Sequence, residues 1–236
     1  MREICDLKLR YGRQTMVPEI GKEGQEKLCD SKVLIIGCGA LGSMIAMQLA
    51  GAGIGVLGIA DYDKVDISNL QRQFFFKTDE LGLPKVDLLF KRIISLNPDI
   101  EVISYRSFIS PAKAEEIFED YDFIVDATDN PESKKMIGDI ALKKRKACCI
   151  GGVRNFSGQI MTLLPSDLRF ENYFGQANAE GLLPCSLGGV MGPAAALCAS
   201  VQASETIKYL TDAGTVLSGR LLVFNLLENS FHTFRI

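Results

Sequence analysis

The chain has 236 residues, enough for one large domain or two small ones, and 47% of them are hydrophobic and 23% charged, which is ordinary for a globular protein. Its net charge of −3 argues against general binding to nucleic acid, which usually leaves a basic footprint. Seven cysteines, an odd number without a repeated spacing, indicate free thiols in a reducing compartment.

Signals for export or membrane insertion are not found in the sequence. Residues 1–6 lack the apolar core of a signal peptide. The longest apolar stretch, residues 187–199, is shorter than the roughly 20 apolar residues that cross a bilayer. The sequence therefore predicts a cytoplasmic protein with no membrane partner.

The histidine and cysteine content of the chain excludes several kinds of catalytic and metal site. His232 is the only histidine, and no Cys-x-x-Cys pair occurs. Hydrolase triads, histidine metal sites and four-thiolate zinc sites therefore lack the residues that they require.

The first predicted elements surround a glycine loop. After a short helix over residues 19–29 and a strand over residues 33–36, Gly37, Gly39 and Gly42 lead into a helix over residues 41–51. A second strand, residues 56–60, is followed by Asp61. Glycines let the backbone approach phosphate, the helix N-terminus attracts it, and an acid about 20 residues on holds a ribose. This order predicts a nucleotide-binding unit.

Two cations follow this acid. Residues 62–82 are predicted to form a long functional loop, which contains the run Ser-Asn-Leu-Gln-Arg-Gln at residues 68–73. Lys85 then follows Pro84 at the start of the next helix. Arg72 and Lys85 suggest a nucleotide with more phosphate than the glycine loop alone would hold.

The next elements alternate between helix and strand. Helices are predicted over residues 84–96 and 110–118 and from Pro131, with strands over residues 100–105, 123–125 and 147–150. The strand at 123–125 runs into residues 126–130, Asp-Ala-Thr-Asp-Asn. Such alternation is typical of a parallel sheet with right-handed crossovers.

The pattern changes after Gly152. A strand is predicted over residues 159–164, an irregular segment over 168–184, and a long helix over 189–210. Strands over residues 220–225 and 230–235 would form a closing hairpin. The predicted fold class is α/β: a Rossmann-like, mainly parallel sheet with helices on both faces and an antiparallel C-terminal extension, forming a single domain over residues 1–236.

These motifs together resemble the ThiF/MoeB/HesA family, the bacterial relatives of ubiquitin-activating enzymes. The resemblance runs from residues 10–14, Arg-Tyr-Gly-Arg-Gln, to residues 234–236. The glycine loop, residues 61–63, residues 68–73, Pro84-Lys85 and residues 126–130 lie between them. Each motif alone is weakly specific, and it is their order and spacing that indicate the family.

The resemblance implies an ATP- and Mg²⁺-dependent adenylyltransferase that acts on the C-terminal glycine of a ubiquitin-like sulfur carrier protein of the ThiS or MoaD type. A separate sulfur donor protein would then convert the activated glycine to a thiocarboxylate for thiamine or molybdopterin biosynthesis. Residues 1–152 would bind the nucleotide, and residues 153–236 would bind the carrier and the second subunit of a homodimer.

The resemblance also implies roles in nucleotide binding. Asp61 would hold the ribose, and Gly37, Gly39 and Gly42 would form the phosphate loop. Asn69 would contact the triphosphate together with the two cations already named.

The resemblance implies catalytic residues that act through their charge and not as general bases. The attacking carboxylate has an ordinary pKa of roughly 3.5 and is ionised at neutral pH, so no general base is required. The protein must still position the carboxylate and the nucleotide and offset their negative charges. Arg72 and Lys85 would act on the transition state, Asp129 would coordinate Mg²⁺, and Arg13 would reach the ATP of the partner subunit.

Cys185 is a further catalytic candidate. It precedes the predicted long helix, and a helix N-terminus lowers the pKa of a thiol. Relatives carry a cysteine at the matching position, and in the ThiF branch it joins the carrier through an acyl-disulfide. The alternative is an unreactive loop thiol.

Zinc is the clearest departure from the family. Many members bind Zn²⁺ through two Cys-x-x-Cys pairs, but the corresponding residues 170–175 and 226–229 contain no cysteine. No zinc is therefore expected.

Other functions explain parts of the pattern. An NAD-dependent oxidoreductase would use the glycine loop and Asp61, but it would leave Arg13, Arg72, Lys85 and Asp129 without a joint purpose. A catalytically inactive ThiF-like partner subunit would keep the fold without the chemistry. Adenylation of another substrate, such as a tRNA base or a peptide, is a third alternative, and the acidic balance argues mildly against tRNA.

Overall fold

The structure, a computed structural model, describes residues 9–166 and 188–236. A sheet of eight strands lies at its centre. These strands are β1 (Lys32–Ile36), β2 (Val56–Ala60), β3 (Glu101–Tyr105), β4 (Phe123–Asp126), β5 (Ala147–Arg154), β6 (Ser157–Leu163), β7 (Arg220–Asn225) and β8 (Ser230–Arg235). Their order across the sheet is β3-β2-β1-β4-β5-β6-β7-β8.

The first five strands are parallel. β1 pairs with β2 on one side and with β4 on the other, β2 pairs with β3, and β4 pairs with β5. The direction of chain progression reverses between β1 and β4, and in open parallel sheets ligands bind beyond the carboxyl ends of the strands at such a point.

The last strands are antiparallel. β5 pairs with β6, β6 with β7, and β7 with β8. β5 continues beyond the predicted residues 147–150 because its pairing with β6 runs on from Cys148↔Leu163 to Arg154↔Ser157.

Six α-helices lie wholly within the described residues; the first precedes β1, and the other five connect strands. They are α1 (Gly21–Asp30), α2 (Gly42–Ala52), α3 (Lys85–Leu96), α4 (Pro111–Ile117), α5 (Pro131–Lys143) and α6 (Gly192–Thr211). The side-chain oxygens of Ser110 and Asn130 cap α4 and α5 by accepting the backbone N–H groups of Lys113 and Ser133, at 3.3 and 2.8 Å. α6 begins three residues later than predicted, with Pro193 in its first turn.

Helices cover both faces of the sheet, because successive strand residues point to opposite sides. On one face Val33 and Ile35 of β1 belong to a buried core cluster that includes residues of α2, α3 and α6. On the other face Leu34 and Ile36 belong to a second cluster with α4 and α5. The structure confirms the predicted α/β fold, with its mainly parallel sheet, two helical layers and antiparallel C-terminal strands.

The predicted loop over residues 62–82 contains only short 3-10 turns, Ile67–Asn69 and Thr78–Glu80. The predicted irregular segment, residues 168–184, lies entirely outside the described residues. In residues 9–166 and 188–236, no helix combines the length and apolar character that crossing a bilayer requires.

Candidate functional site

A cleft of about 320 Å³ opens beyond the carboxyl ends of β1, β2 and β4. It therefore lies where the strand order reverses. Among the residues predicted to act in nucleotide binding or catalysis, those that line the cleft are Gly37, Gly39, Asp61, Arg72, Lys85 and Asp129. The structure thus brings together residues that are up to 92 positions apart in the sequence, from Gly37 to Asp129.

The glycine loop has a conformation that requires glycine. Gly37 has a φ of +96°, which L side chains rarely adopt. A Cβ on Gly42 would lie 1.7 Å from the carbonyl oxygen of Gly37, so these two residues approach too closely for any side chain. Gly42 does not itself line the cleft, and its role is to close the turn behind the loop.

Asp61 is held rigidly at the end of β2. One of its carboxylate oxygens, Oδ2, accepts the backbone N–H of Cys38 in the glycine loop at 2.6 Å. The other, Oδ1, accepts the backbone N–H of Asp63 at 2.8 Å. Because each carboxylate oxygen has two lone pairs, the group can still accept a hydrogen bond from a ligand hydroxyl.

The cysteine within the glycine loop is buried. Burial, and secondarily the charge of Asp61, raises the pKa of the Cys38 thiol well above its ordinary value. The thiol is therefore neutral at physiological pH and acts as a small apolar side chain under the loop.

Lys85 is a buried cation on the wall of the cleft. Its Nζ lies 3.0 Å from Oδ2 of Asp63, and its side chain is only 6% exposed, although a lone lysine is expected at the surface. Arg72 also lines the cleft, and its Nη1 donates to the carbonyl of Ser68 at 2.8 Å. Both cations can meet a phosphate in this cleft.

Asn69 and Arg13 do not line the cleft of their own chain. The side chain of Asn69 closes the 3-10 turn, because its Oδ1 accepts the backbone N–H of Asp66 at 3.2 Å. Arg13 is exposed near the start of the described chain.

Asp129 is an exposed carboxylate at the mouth of the cleft, just beyond β4. It belongs to an acidic group, since the pKa of Tyr62 is raised by the charge of Asp63 first, then by burial, and then by Asp129 and Asp61. In the described ranges, no three or more His, Cys, Asp or Glu side chains cluster as a ready-made metal site.

Two residues near the cleft carried no assigned role in the sequence analysis. Gln73 is only 4% exposed, lines the cleft, and its buried Oε1 has no hydrogen-bond partner in the described part of the structure. Lys134 donates hydrogen bonds to three oxygen atoms, one at the end of β4, one in the loop that follows it and one within β5. The sequence could have pointed to Gln73, because it belongs to the motif at residues 68–73. For Lys134, the one sequence feature that could have pointed to a role was a cation at an unfavourable position, in the first turn of a helix.

Cys185 lies outside the described residues. The remaining buried thiols, Cys148, Cys149 and Cys198, lie in β5 and α6, as expected for small apolar core residues.

The strand order and the cleft at its switch point define a Rossmann-like α/β protein. The chain belongs to the ThiF family, whose model matches residues 11–236. This finding confirms the family that the sequence motifs indicated.

Named relatives agree with this assignment. The chain is 36% identical over 233 residues to a probable adenylyltransferase/sulfurtransferase, MoeZ, of Mycobacterium tuberculosis, covering 96% of this chain and 59% of MoeZ. It is 34% identical over 234 residues to a sulfur carrier protein adenylyltransferase of Thermus thermophilus, covering 96% of this chain and 86% of that protein. The crystal structure of PaaA superposes with a TM-score of 0.83 at 26% identity, covering 98% of this chain and 74% of PaaA. The chain thus spans less than two thirds of the length of MoeZ.

Proposed function

We propose that this protein adenylates the C-terminal glycine of a ubiquitin-like sulfur carrier protein of the ThiS or MoaD type, using ATP. The observation that carries the proposal is the convergence of Arg72, Lys85 and Asp129 with the glycine loop in one cleft. The named function of the Thermus relative, which the chain matches over most of its length, supports the same activity.

In the proposed reaction a carboxylate oxygen of the carrier's terminal glycine bonds to the α-phosphorus of ATP. The bond between that phosphorus and the oxygen that bridges to the β-phosphate breaks, and its electrons leave with pyrophosphate. No proton has to be removed from the nucleophile. The chain therefore has to orient the two substrates and to offset negative charge, for which Arg72 and Lys85 are suited.

The residues present fit Mg²⁺ as well as ATP. Mg²⁺ is usually held by one or two carboxylates together with substrate phosphates and waters, and Asp129 offers one such carboxylate. When bound, Mg²⁺ would neutralise charge on the phosphates. Gly37 and Gly39 would leave room for the phosphates, with Gly42 closing the loop behind them. Asp61 would accept a hydrogen bond from a ribose hydroxyl, and Asn69 would contact the triphosphate from the turn beside Arg72.

The experiment is ATP–pyrophosphate exchange with Mg²⁺ and purified ThiS-type and MoaD-type carriers. Exchange should require one carrier with an intact terminal glycine. The Asp129→Asn variant should lower exchange by about 100-fold or more, since it removes the metal-binding charge. The matched control Glu132→Gln changes an exposed carboxylate three residues away that does not line the cleft, and it should exchange like the wild type.

Other outcomes would favour the alternatives. ATP binding without exchange with any carrier would indicate an inactive partner subunit or a different acyl substrate. Binding of NAD in preference to ATP would indicate an oxidoreductase.

We also propose a homodimer in which Arg13 of the partner subunit completes each cleft. The exposure of Arg13 and its absence from the lining of its own cleft support this role. An equal mixture of Arg13→Ala and Asp129→Asn chains should recover about a quarter of wild-type exchange, because half of the dimers are mixed and each has one intact site. A mixture no more active than its two components would contradict a shared site.

Residues 153–236 are proposed to contact the carrier and the second subunit, and sulfur is proposed to come from a separate donor protein. Cys185 is the candidate for handling sulfur. A Cys185→Ala variant should retain exchange but lose thiocarboxylate formation, and thiocarboxylate formation at the wild-type rate would remove Cys185 from the mechanism.

A further inference from the structure

Lys134, in the first turn of α5, makes a saturated set of hydrogen bonds behind the cleft. Its ammonium donates to Oδ2 of Asp126 at 2.8 Å, to the carbonyl of Thr128 at 2.7 Å and to the carbonyl of Gly151 at 2.6 Å. A lysine ammonium has three N–H groups, so all of its donors are used. The Lys134 side chain is 15% exposed and that of Asp126 is fully buried.

This position is unfavourable for a cation on a helix. The N-terminus of a helix carries a partial positive charge, so lysine is disfavoured in its first turn. The next residue, Lys135, shows the ordinary arrangement: it is exposed and pairs with Asp139 one turn further along α5. The contacts of Lys134 with β4, the following loop and β5, rather than any helix preference, therefore explain why it is there.

The residues on both sides of Asp129 are anchored, one through Lys134 and the other through the cap of α5. On one side, the N–H and Oγ1 of Thr128 donate to Oδ1 of Asp126 at 3.1 and 2.6 Å, while its carbonyl accepts from Lys134. On the other side, Asn130 caps α5 through Ser133. The exposed carboxylate of Asp129 lies between two anchored residues and lines the cleft.

We propose that Lys134 is a positioning residue for Asp129. It ties the end of β4, the following loop and Gly151 of β5 into one unit, and so holds the Asp129 carboxylate at the cleft mouth. This inference rests on the proposed function in one respect, since that function assigns Asp129 to Mg²⁺-dependent ATP binding.

The first test is independent of activity and uses hydrogen–deuterium exchange of the intact protein. In the Lys134→Met variant, residues 127–130 should exchange at least about 10-fold faster than in the wild type, because the loop loses its anchor. Lys135→Met, the matched control on the neighbouring residue, should exchange like the wild type. Lys134→Arg keeps the charge and several donors and should remain close to the wild type. Wild-type protection of residues 127–130 in Lys134→Met would overturn the proposal.

The second test is calorimetric binding of ATP in Mg²⁺ and in EDTA. In Lys134→Met, affinity in EDTA should stay within about 2-fold of the wild type, while most of the gain from Mg²⁺, about 10-fold or more, should be lost. An undiminished Mg²⁺ gain would overturn the proposal. If the wild type itself does not bind ATP, the proposed function fails. The hydrogen–deuterium exchange measurement still decides whether Lys134 anchors the loop.

Loss of the cation also leaves the Asp126 carboxylate buried with one partner fewer. If Lys134→Met does not fold, Lys134→Gln keeps a similar length and one donor amide. The same two measurements on this variant should show a smaller change in the same direction, and wild-type values in both would overturn the proposal.

Discussion

Lys85 and Asp63 form an ion pair in which the cation is the buried partner. Nζ of Lys85 lies 3.0 Å from Oδ2 of Asp63, and the two side chains are 6% and 51% exposed. The backbone N–H of Lys85 also donates to the carbonyl of Asp63 at 3.0 Å. Asp63 is in turn anchored by its own N–H to Asp61. The cation is thus fixed on the cleft wall with a counter-ion at the more exposed side.

We expect the Lys85→Met variant to lower carrier-dependent ATP–pyrophosphate exchange by about 100-fold or more, because it removes a charge that would offset the phosphates but keeps an apolar stem. Exchange assays combined with circular dichroism would separate this effect from misfolding. Lys91→Met alters an exposed lysine on the same helix and should leave exchange unchanged. Exchange by Lys85→Met within about 3-fold of the wild type would remove Lys85 from catalysis.

Gly42 and Gly51 on α2 should respond oppositely to the same substitution. Gly42→Ala places a Cβ 1.7 Å from the Gly37 carbonyl oxygen, so we expect a loss of about 3 kcal/mol or more in the free energy of unfolding. Gly51→Ala meets nothing nearer than 3.9 Å and should stabilise the protein by about 0.4–1 kcal/mol. Urea unfolding monitored by circular dichroism measures both. A Gly42→Ala variant as stable as the wild type would show that the glycine loop is not closed by this contact.

The cysteines should differ in reactivity according to burial. Burial raises the pKa of the thiols of Cys38, Cys148 and Cys149, and Cys198 is buried as well, whereas Cys29 is partly exposed. Brief iodoacetamide treatment of the native protein, followed by peptide mapping, should label Cys29 and leave these four cysteines unmodified. All should react after unfolding in urea. Rapid native labelling of Cys38 would contradict the buried position of the glycine-loop thiol.

The Asp66 carboxylate should report on the turn that contains Asn69. Hydrogen bonds from the Ser68 hydroxyl and then from its backbone N–H lower the pKa of Asp66 below its ordinary 3.8. Since the folded pKa is the lower one, the stabilisation is present above pH 3.8 and is lost as the pH falls through the folded value.

The Ser68→Ala variant tests this arrangement by removing the hydroxyl, which donates at 2.6 Å, while the backbone donor remains. We expect the pKa of Asp66 to rise part of the way towards its ordinary value, as measured by carboxyl-carbon NMR. Glu115, whose pKa is lowered by Lys143, is the internal control and should not change. An unchanged pKa of Asp66 would show that the hydroxyl does not hold the turn.

Elements with a strong local signal were predicted closely. β2, β7 and β8 have the predicted limits, because alternating or continuous apolar residues bounded by polar turns specify a strand locally. The limits of β5 depended on its antiparallel pairing with the next strand, β6, across a tight turn, and the length of β5 was underestimated. Lys85 shows the same difference at the site. The sequence predicted its place at the start of a helix after Pro84, but its burial against Asp63 depends on the tertiary structure.

The sequence by itself determined the positions of the glycine loop, Asp61 and Asp129 and the limits of most elements, since each depends on residues close together in the chain. It also determined the family, because the order and spacing of the motifs along the chain can be read without the fold. Only the tertiary structure decided which of these residues meet. Arg72, Lys85 and Asp129 share a cleft because the sheet order brings β1, β2 and β4 side by side. The anchoring of Asp129 by Lys134 depends on the packing of α5 against β4 and β5, which no local pattern encodes.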